Sequence, residues 1–247
     1  MTFSHGRFLL FLFISGLLTM PTLAGNGNGW GYDQAGLGCW GGTCANGWKQ
    51  SPIDIRDDLA VEGKSPKLEF NYKSTEYITY DSGYNITYKA NGDAGTLKIG
   101  DKQYKLLQFH FHTASEHTHN GIVFPMEVHL VHQEVGGEAL AVVGVFFHLG
   151  ESSDFMNPIL DALPSTLDRK KGNVSMDAAT FLPSSKVNYR YSGSLTTPPC
   201  SEVVSWHVMK MPQNISADQI KRFTDVVPRS ARPTQPLNRR ELTINPE

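Results

Sequence analysis

Cysteine is scarce in this chain, with three in 247 residues, at positions 39, 44 and 200. One disulfide would leave one thiol over, and the count alone leaves the pairing open. Charge of one sign is also lacking: Lys and Arg total 22 against 24 Asp and Glu, a formal net charge of -2 with no basic run. That balance excludes an electrostatic nucleic-acid binder. No apolar stretch spans a bilayer comfortably; the run from Phe8 to Leu18 is too short. There is no internal repeat, no low-complexity tract and no interdomain linker, so residues 25–247 read as a single domain. With 40% hydrophobic and 19% charged residues, one large core is within reach.

What is present begins with a leader. His5 and Arg7 precede the Phe8–Leu18 run, and Thr22-Leu23-Ala24 offers small residues for cleavage, so residues 1–24 read as a secretory signal peptide. Export, to a periplasm or beyond, means an oxidising compartment and no membrane association after cleavage. Residues Gly25 to Gly47, rich in Gly and aromatics, carry no helical period and read as an irregular surface wrap. Strand candidates then follow at regular spacing, at Lys67–Tyr72, Tyr77–Tyr80, Asn85–Ala90, Gly95–Ile99, Tyr104–His112, Met126–His132, Ala139–Leu149 and Glu202–Met209. Helices are expected only at Asn157–Asp168 and Ser216–Val226, the second with Ser216 as N-cap. The expected fold class is mainly β, with short peripheral helices.

The chemistry concentrates in Gln108-Phe109-His110-Phe111-His112 and, seventeen residues on from His112, in His129 of Glu127-Val128-His129. Alternate side chains of a strand share a face, so Gln108, His110 and His112 lie together while Phe109 and Phe111 turn to the core. Glu127, His129 and Val131 share a face of the second strand. If the two strands are neighbours, three imidazoles converge. Three neutral nitrogens with no fourth protein ligand describe a catalytic zinc site with one open position; a closed structural site would favour cysteines, and none is near. A solitary buried histidine is ordinarily a hydrogen-bonded core residue, and that reading is kept for His132 and His148, with His119 in an exposed turn. The carboxylate two residues before His129 and the amide two before His110 strengthen the metal reading, since ligating imidazoles give their second N–H to such groups.

Several segments together resemble the α-class carbonic anhydrases, specifically their exported bacterial branch. They are QSPIDI (Gln50–Ile55), QFHFH (Gln108–His112), SEHT (Ser115–Thr118), EVHLVH (Glu127–His132), AVVGVFF (Ala141–Phe147), YSGSLTTPPCSEVVSWHV (Tyr191–Val208) and RPTQPLN (Arg232–Asn238). The resemblance implies a large twisted, mostly antiparallel central sheet carrying a conical zinc cleft. It implies one Zn²⁺ per chain on His110, His112 and His129, and reversible hydration of CO₂ to bicarbonate by zinc-bound hydroxide. Gln108 and Glu127 would partner the first and third ligands, and His117 would be a buried structural residue near Glu127. Thr196 would orient the nucleophile by accepting a hydrogen bond from the zinc-bound hydroxide and donating its own to the carboxylate of Glu116. Val131, Val142, Leu195, Val204 and Trp206 would form the apolar wall for CO₂, with Thr197 and Tyr32 on the polar side. The family pattern also implies a Cys44–Cys200 disulfide and leaves Cys39 outside it.

The sequence departs from the family at the cleft mouth. Many members carry a histidine there in an Asn-Gly-His segment; the matching stretch here is Asp81-Ser82-Gly83-Tyr84. A phenol, with a pKa of about 10, moves protons poorly at neutral pH beside an imidazole at about 6.5. A slower turnover that leans on external buffer is expected. The alternatives are a zinc hydrolase of small esters and a non-catalytic binding module, and the intact histidine trio with Thr196 and Glu116 argues against the second. Exported bacterial relatives suggest a homodimer, which no stretch here specifies.

Overall fold

The computed structural model describes residues 31–33, 40–163, 172–227 and 229–245. The expected leader, Cys39 and residues 164–168 lie outside the described residues, and the first expected helix, Asn157–Asp168, already stops at Asp161. In chain order the strands are β1 (Asp54–Ile55), β2 (Val61–Glu62), β3 (Leu68–Tyr72), β4 (Thr75–Asp81), β5 (Ile86–Ala90) and β6 (Gly95–Ile99). They continue with β7 (Lys102–His112), β8 (Thr118–His119), β9 (Ile122–Val123), β10 (Met126–Glu134), β11 (Leu140–Leu149) and β12 (Asn173–Met176). The last four are β13 (Asn188–Gly193), β14 (Val204–Met209), β15 (Gln213–Ile215) and β16 (Thr243–Asn245). Among the described residues three short α-helices accompany them: α1 (Thr43–Asn46), α2 (Asn157–Asp161) and α3 (Ala217–Thr224). None of the described helices is long and apolar enough to cross a membrane.

Thirteen strands form one sheet whose main path runs β12-β4-β5-β7-β10-β11-β14-β13-β16-β2, with β1, β8 and β9 in a small sheet beside it. The centre is antiparallel, β5-β7-β10-β11, and then β11 pairs β14 parallel. The sheet is therefore mixed, with antiparallel pairs in the majority. Parallel pairing of β11 with both β14 and β15 fits its sequence, which is apolar on consecutive positions because both faces are covered.

Alternation places the two cores. Phe109, Phe111, Val128, Leu130, Val143 and Val145 turn to one face, where Phe181 and Phe223 also pack. Val142, Phe146, Tyr191, Val204, Trp206 and Val208 fill the other, with Ile53 and Ile55. Ser216 caps α3 as expected: its hydroxyl accepts from the Gln219 amide and the Gln219 side chain returns to the Ser216 amide, a capping box.

Some expectations are corrected. His148 is exposed at the end of β11 and meets Asn214 Oδ1 at 2.5 Å, because the strand outruns the core there. His119 sits half-buried on β8 rather than in an exposed turn, against Tyr189 OH at 3.1 Å and Asp57 Oδ2 at 3.3 Å. The N-terminal wrap contains the helical turn α1, and the 202–209 strand begins at Val204. His132 is a satisfied core residue: it is fully buried, with Ala141 O 3.1 Å from Nδ1 and Tyr72 OH 2.8 Å from Nε2.

Candidate metal centre

Register brings the histidines together. In the β7–β10 pair His110 lies directly opposite His129, and His112 opposite Glu127. Opposite residues share a face, so the three rings meet: centroids are 5.0 Å apart for His110–His112, 5.3 Å for His110–His129 and 4.6 Å for His112–His129. One nitrogen from each lies within 4.8 Å of the others, a group able to hold a metal ion.

The remaining nitrogens are each anchored. His110 Nδ1 meets Gln108 Oε1 at 2.8 Å and His129 Nε2 meets Glu127 Oε1 at 2.9 Å. His112 Nδ1 donates to the carbonyl of Ser230, a partner that nothing in the sequence signalled because it comes from a loop 118 residues away. The nitrogens left facing inward are His110 Nε2, His112 Nε2 and His129 Nδ1. His112 Nε2 is buried with no hydrogen-bond partner among the described residues. An orphaned nitrogen of that kind is costly unless something binds it, and three nitrogen donors with ordered outer partners suit a borderline divalent cation.

Electrostatics keeps the trio open to a cation. Burial holds His110 well below its ordinary value and takes His112 down to about 3, with the neighbouring imidazoles adding to both. Burial also pulls on His129, but the Glu127 charge outweighs it and the net direction is up. Glu127 stays ionised despite burial because His117 and His129 face it. Its two oxygens accept four times: from His117 Nδ1 at 2.7 Å, from His129, and from the amides of Glu116 and His117 at 2.9 Å each. His117 also meets Tyr191 OH at 2.6 Å, so both its nitrogens are spent and it has none for a metal.

Room for that carboxylate comes from Gly144, opposite His129 on β11. A Cβ there would stand 2.9 Å from Glu127 Oε1. This is the second site residue that the sequence reading missed; an isolated glycine in an apolar strand carries no signal until the register is known.

Glu116 is buried, not a surface acid. Its Oε1 accepts from the Arg232 amide at 2.9 Å, and Oε2 lies 3.4 Å from His112 Nε2. Burial pushes its carboxyl up to about 7, while the nearby His129 charge and the Thr196 hydroxyl favour the ionised form. Among the described residues no donor reaches Oε2 at full hydrogen-bonding distance. Thr196 is buried at the start of the Thr197–Cys200 turn, which the Cys200 amide closes on Thr197 O at 2.9 Å.

The apolar residues gather as one row and its neighbours. Val131, Val142 and Trp206 lie side by side across β10, β11 and β14, with Val204 and Leu195 packed against them. The Trp206 ring stands 4.8 Å from that of His129. Tyr32 is largely buried, packs edge-on to Trp40 and feels the charges of Glu116 and Arg232. Tyr84 is in the β4–β5 turn, three residues before Thr87, which pairs with His110. Cys44 and Cys200 form a disulfide that ties α1 to the loop after Thr196.

Fold and site together define a large mixed sheet that carries a three-histidine centre able to hold a metal ion. The family model for eukaryotic-type carbonic anhydrase matches residues 36–246. A carbonic anhydrase of Nostoc sp. is 39% identical over 239 residues, covering 92% of this chain and 89% of that one. One from Neisseria gonorrhoeae is 37% identical over 224 residues, 87% and 88% of the two chains. Among solved structures, the α-carbonic anhydrase of Thermovibrio ammonificans superposes with a TM-score of 0.81 at 36% identity, over 87% of this chain and 98% of that one. The chain belongs to the α-carbonic anhydrase family, the enzymes that interconvert CO₂ and bicarbonate.

Proposed function

We propose that this chain hydrates CO₂ reversibly at a single zinc ion held by His110, His112 and His129, and that it works in a periplasmic or extracellular compartment. The observation that carries the reading is the convergence of three inward nitrogens whose opposite nitrogens are all anchored. Zinc bound there supplies an acidified water, with a pKa near 7 against 15.7 in bulk, as is known for carbonic anhydrases themselves.

The chain's own residues do the rest. Gln108, Ser230 and Glu127 fix ring orientation and tautomer. Thr196, with its hydroxyl donating a hydrogen bond towards Glu116, would have only lone pairs left to offer a ligand at the metal, and would so favour one that brings a proton of its own. The Thr196 amide makes no hydrogen bond among the described residues, which leaves it for the oxygen that gains charge. Val131, Val142, Leu195, Val204 and Trp206 pack as one apolar cluster that gives CO₂ a dry wall, with Thr197 and Tyr32 assigned to its polar side. The Cys44–Cys200 bridge supports the exported location, where a disulfide persists.

The test is metal content and CO₂ hydration before and after His129→Ala. The native protein is expected to hold one zinc per chain, and the variant to lose metal and at least about a hundredfold in activity. Metal-free native protein without hydration activity would overturn the proposal and favour a binding module. Ester cleavage without CO₂ hydration would favour a hydrolase.

A further inference from the structure

Arg232 is a buried cation without a carboxylate partner among the described residues, only 4% exposed. Neutral acceptors satisfy it instead. Its guanidinium donates to Gln50 Oε1 at 2.9 Å, to Ser51 O at 2.7 Å and to Cys44 O at 2.8 Å, and it lies over the Trp40 ring at 5.2 Å. A buried charge of this sort is a poor way to gain stability, since an apolar residue of similar volume often does as well. Where its contacts lead is more telling.

The Arg232 amide donates to Glu116 Oε1 at 2.9 Å, and two residues earlier the Ser230 carbonyl holds His112. The segment 230–232 thus carries the support of one metal ligand and of Glu116 at once. The strip that its guanidinium grips, residues 44–51, is the same strip that holds the Thr196 loop. Cys44 is bridged to Cys200, Gln50 Nε2 donates to Cys200 O at 3.2 Å, and Ser51 and Ser194 exchange bonds of 2.9 and 3.0 Å. The acceptor carboxylate and the donor hydroxyl are therefore both located from one strip, and Arg232 closes the circuit. A guanidinium suits this task because its planar fork can meet three acceptors in fixed directions, which an ammonium cannot.

We propose that Arg232 is a positioning residue: its guanidinium fixes the Glu116 carboxylate against the Thr196 hydroxyl and so sets the preference of the metal site for ligands that bring a proton. This rests on the roles of Thr196 and Glu116 proposed above. When Glu116 drifts, the Thr196 hydroxyl is free to donate to an anion at the metal, and anions without a proton gain a hydrogen bond they are otherwise denied.

The experiment compares Arg232→Gln and Arg232→Lys with the native holoenzyme and with Thr196→Ala. It reads metal stoichiometry, kcat/KM for CO₂ hydration, the Kd of azide from the visible spectrum of cobalt-substituted protein, and amide exchange at position 232 in the metal-free protein. Arg232→Gln is expected to keep one metal per chain, lose about tenfold in kcat/KM, bind azide several-fold more tightly and exchange that amide about tenfold faster. Arg232→Lys is expected to recover part of each change; if the Gln variant does not fold, the Lys variant decides with intermediate shifts. A lowered Tm with kcat/KM per metal and azide Kd unchanged would overturn the proposal. If Thr196→Ala moves both quantities and Arg232→Gln neither, only the Arg232 role falls. If Thr196→Ala moves neither, the reading of Thr196 falls and this one with it.

Discussion

Gly144 shows how much one missing Cβ decides at this site. Glu127 reaches His129 only by lying over the backbone of the neighbouring strand, and its four accepted hydrogen bonds leave no direction in which to retreat. Gly144→Ala places a methyl 2.9 Å from Oε1, closer than real Cβ atoms sit, and the next neighbours, the Val208 methyls, are 3.5 and 3.7 Å away. The carboxylate, not the valine, must move. Because outer partners of a ligand are typically worth 10–100-fold in metal affinity, Gly144→Ala is expected to raise the zinc dissociation constant by about that factor while keeping the fold. Equilibrium competition for zinc with a colorimetric chelator measures it; an unchanged dissociation constant would mean that the Glu127–His129 bond does not govern affinity.

Elements were legible where one face is buried and the other is not. The alternation in β3, β5 and β6 gave their bounds to within about two residues, and the Gln108–His112 and Glu127–Val131 patterns put His110, His112 and His129 on the faces where the register joins them. Legibility ended where a second element was needed. In β7 the core side chains step from Leu106 to Phe109, an interval of three, because Gln108 opposes Val131 and Leu106 opposes His132, leaving Leu107 over as a bulge. Ser230 and Arg232 act through backbone groups of an irregular loop, which no side-chain pattern encodes, and the short β15 and β16 exist by pairing rather than by propensity. The β4–β5 turn is a case where pattern and function meet. It puts Tyr84, not an imidazole, at the position that resembles the family's proton-carrying histidine, three residues from the pairing partner of His110. Tyr84→His is expected to raise the maximal CO₂ hydration rate roughly tenfold in dilute buffer, with little change in concentrated buffer. Stopped-flow rates across a buffer series decide this, and equal rates at every concentration would show that protons leave by another route.

At the scale of the whole molecule, the sheet carries a second use of histidine on the face away from the metal. His132 on β10 and His207 on β14 are buried; burial lowers His132 to about 4 and His207 to about 3, with the Arg190 charge adding to the latter. Their neighbours fit the neutral ring. An N–H at Nδ1 of His132 faces the Ala141 carbonyl, which leaves Nε2 to accept from Tyr72 OH. In the unfolded chain both titrate near the ordinary value of about 6.5. Below that pH the unfolded state binds protons that the folded state refuses, so stability is complete above about 6.5 and falls as the pH drops towards the two folded values. At pH 5 the pair together account for a loss on the order of 2–4 kcal/mol, or about 10 °C in Tm for a chain of this size. The zinc ligands add their own acid sensitivity, but equally in any variant that leaves them alone. His132→Gln retains a hydrogen-bonding side chain beside Tyr72 and has no proton to gain, so it is expected to be less stable than the native protein at pH 8 and to lose less on acidification. The difference between the two Tm curves, measured from pH 8 to 5, should shrink steadily below 6.5. Parallel curves would show that His132 takes no part in the acid lability of this protein.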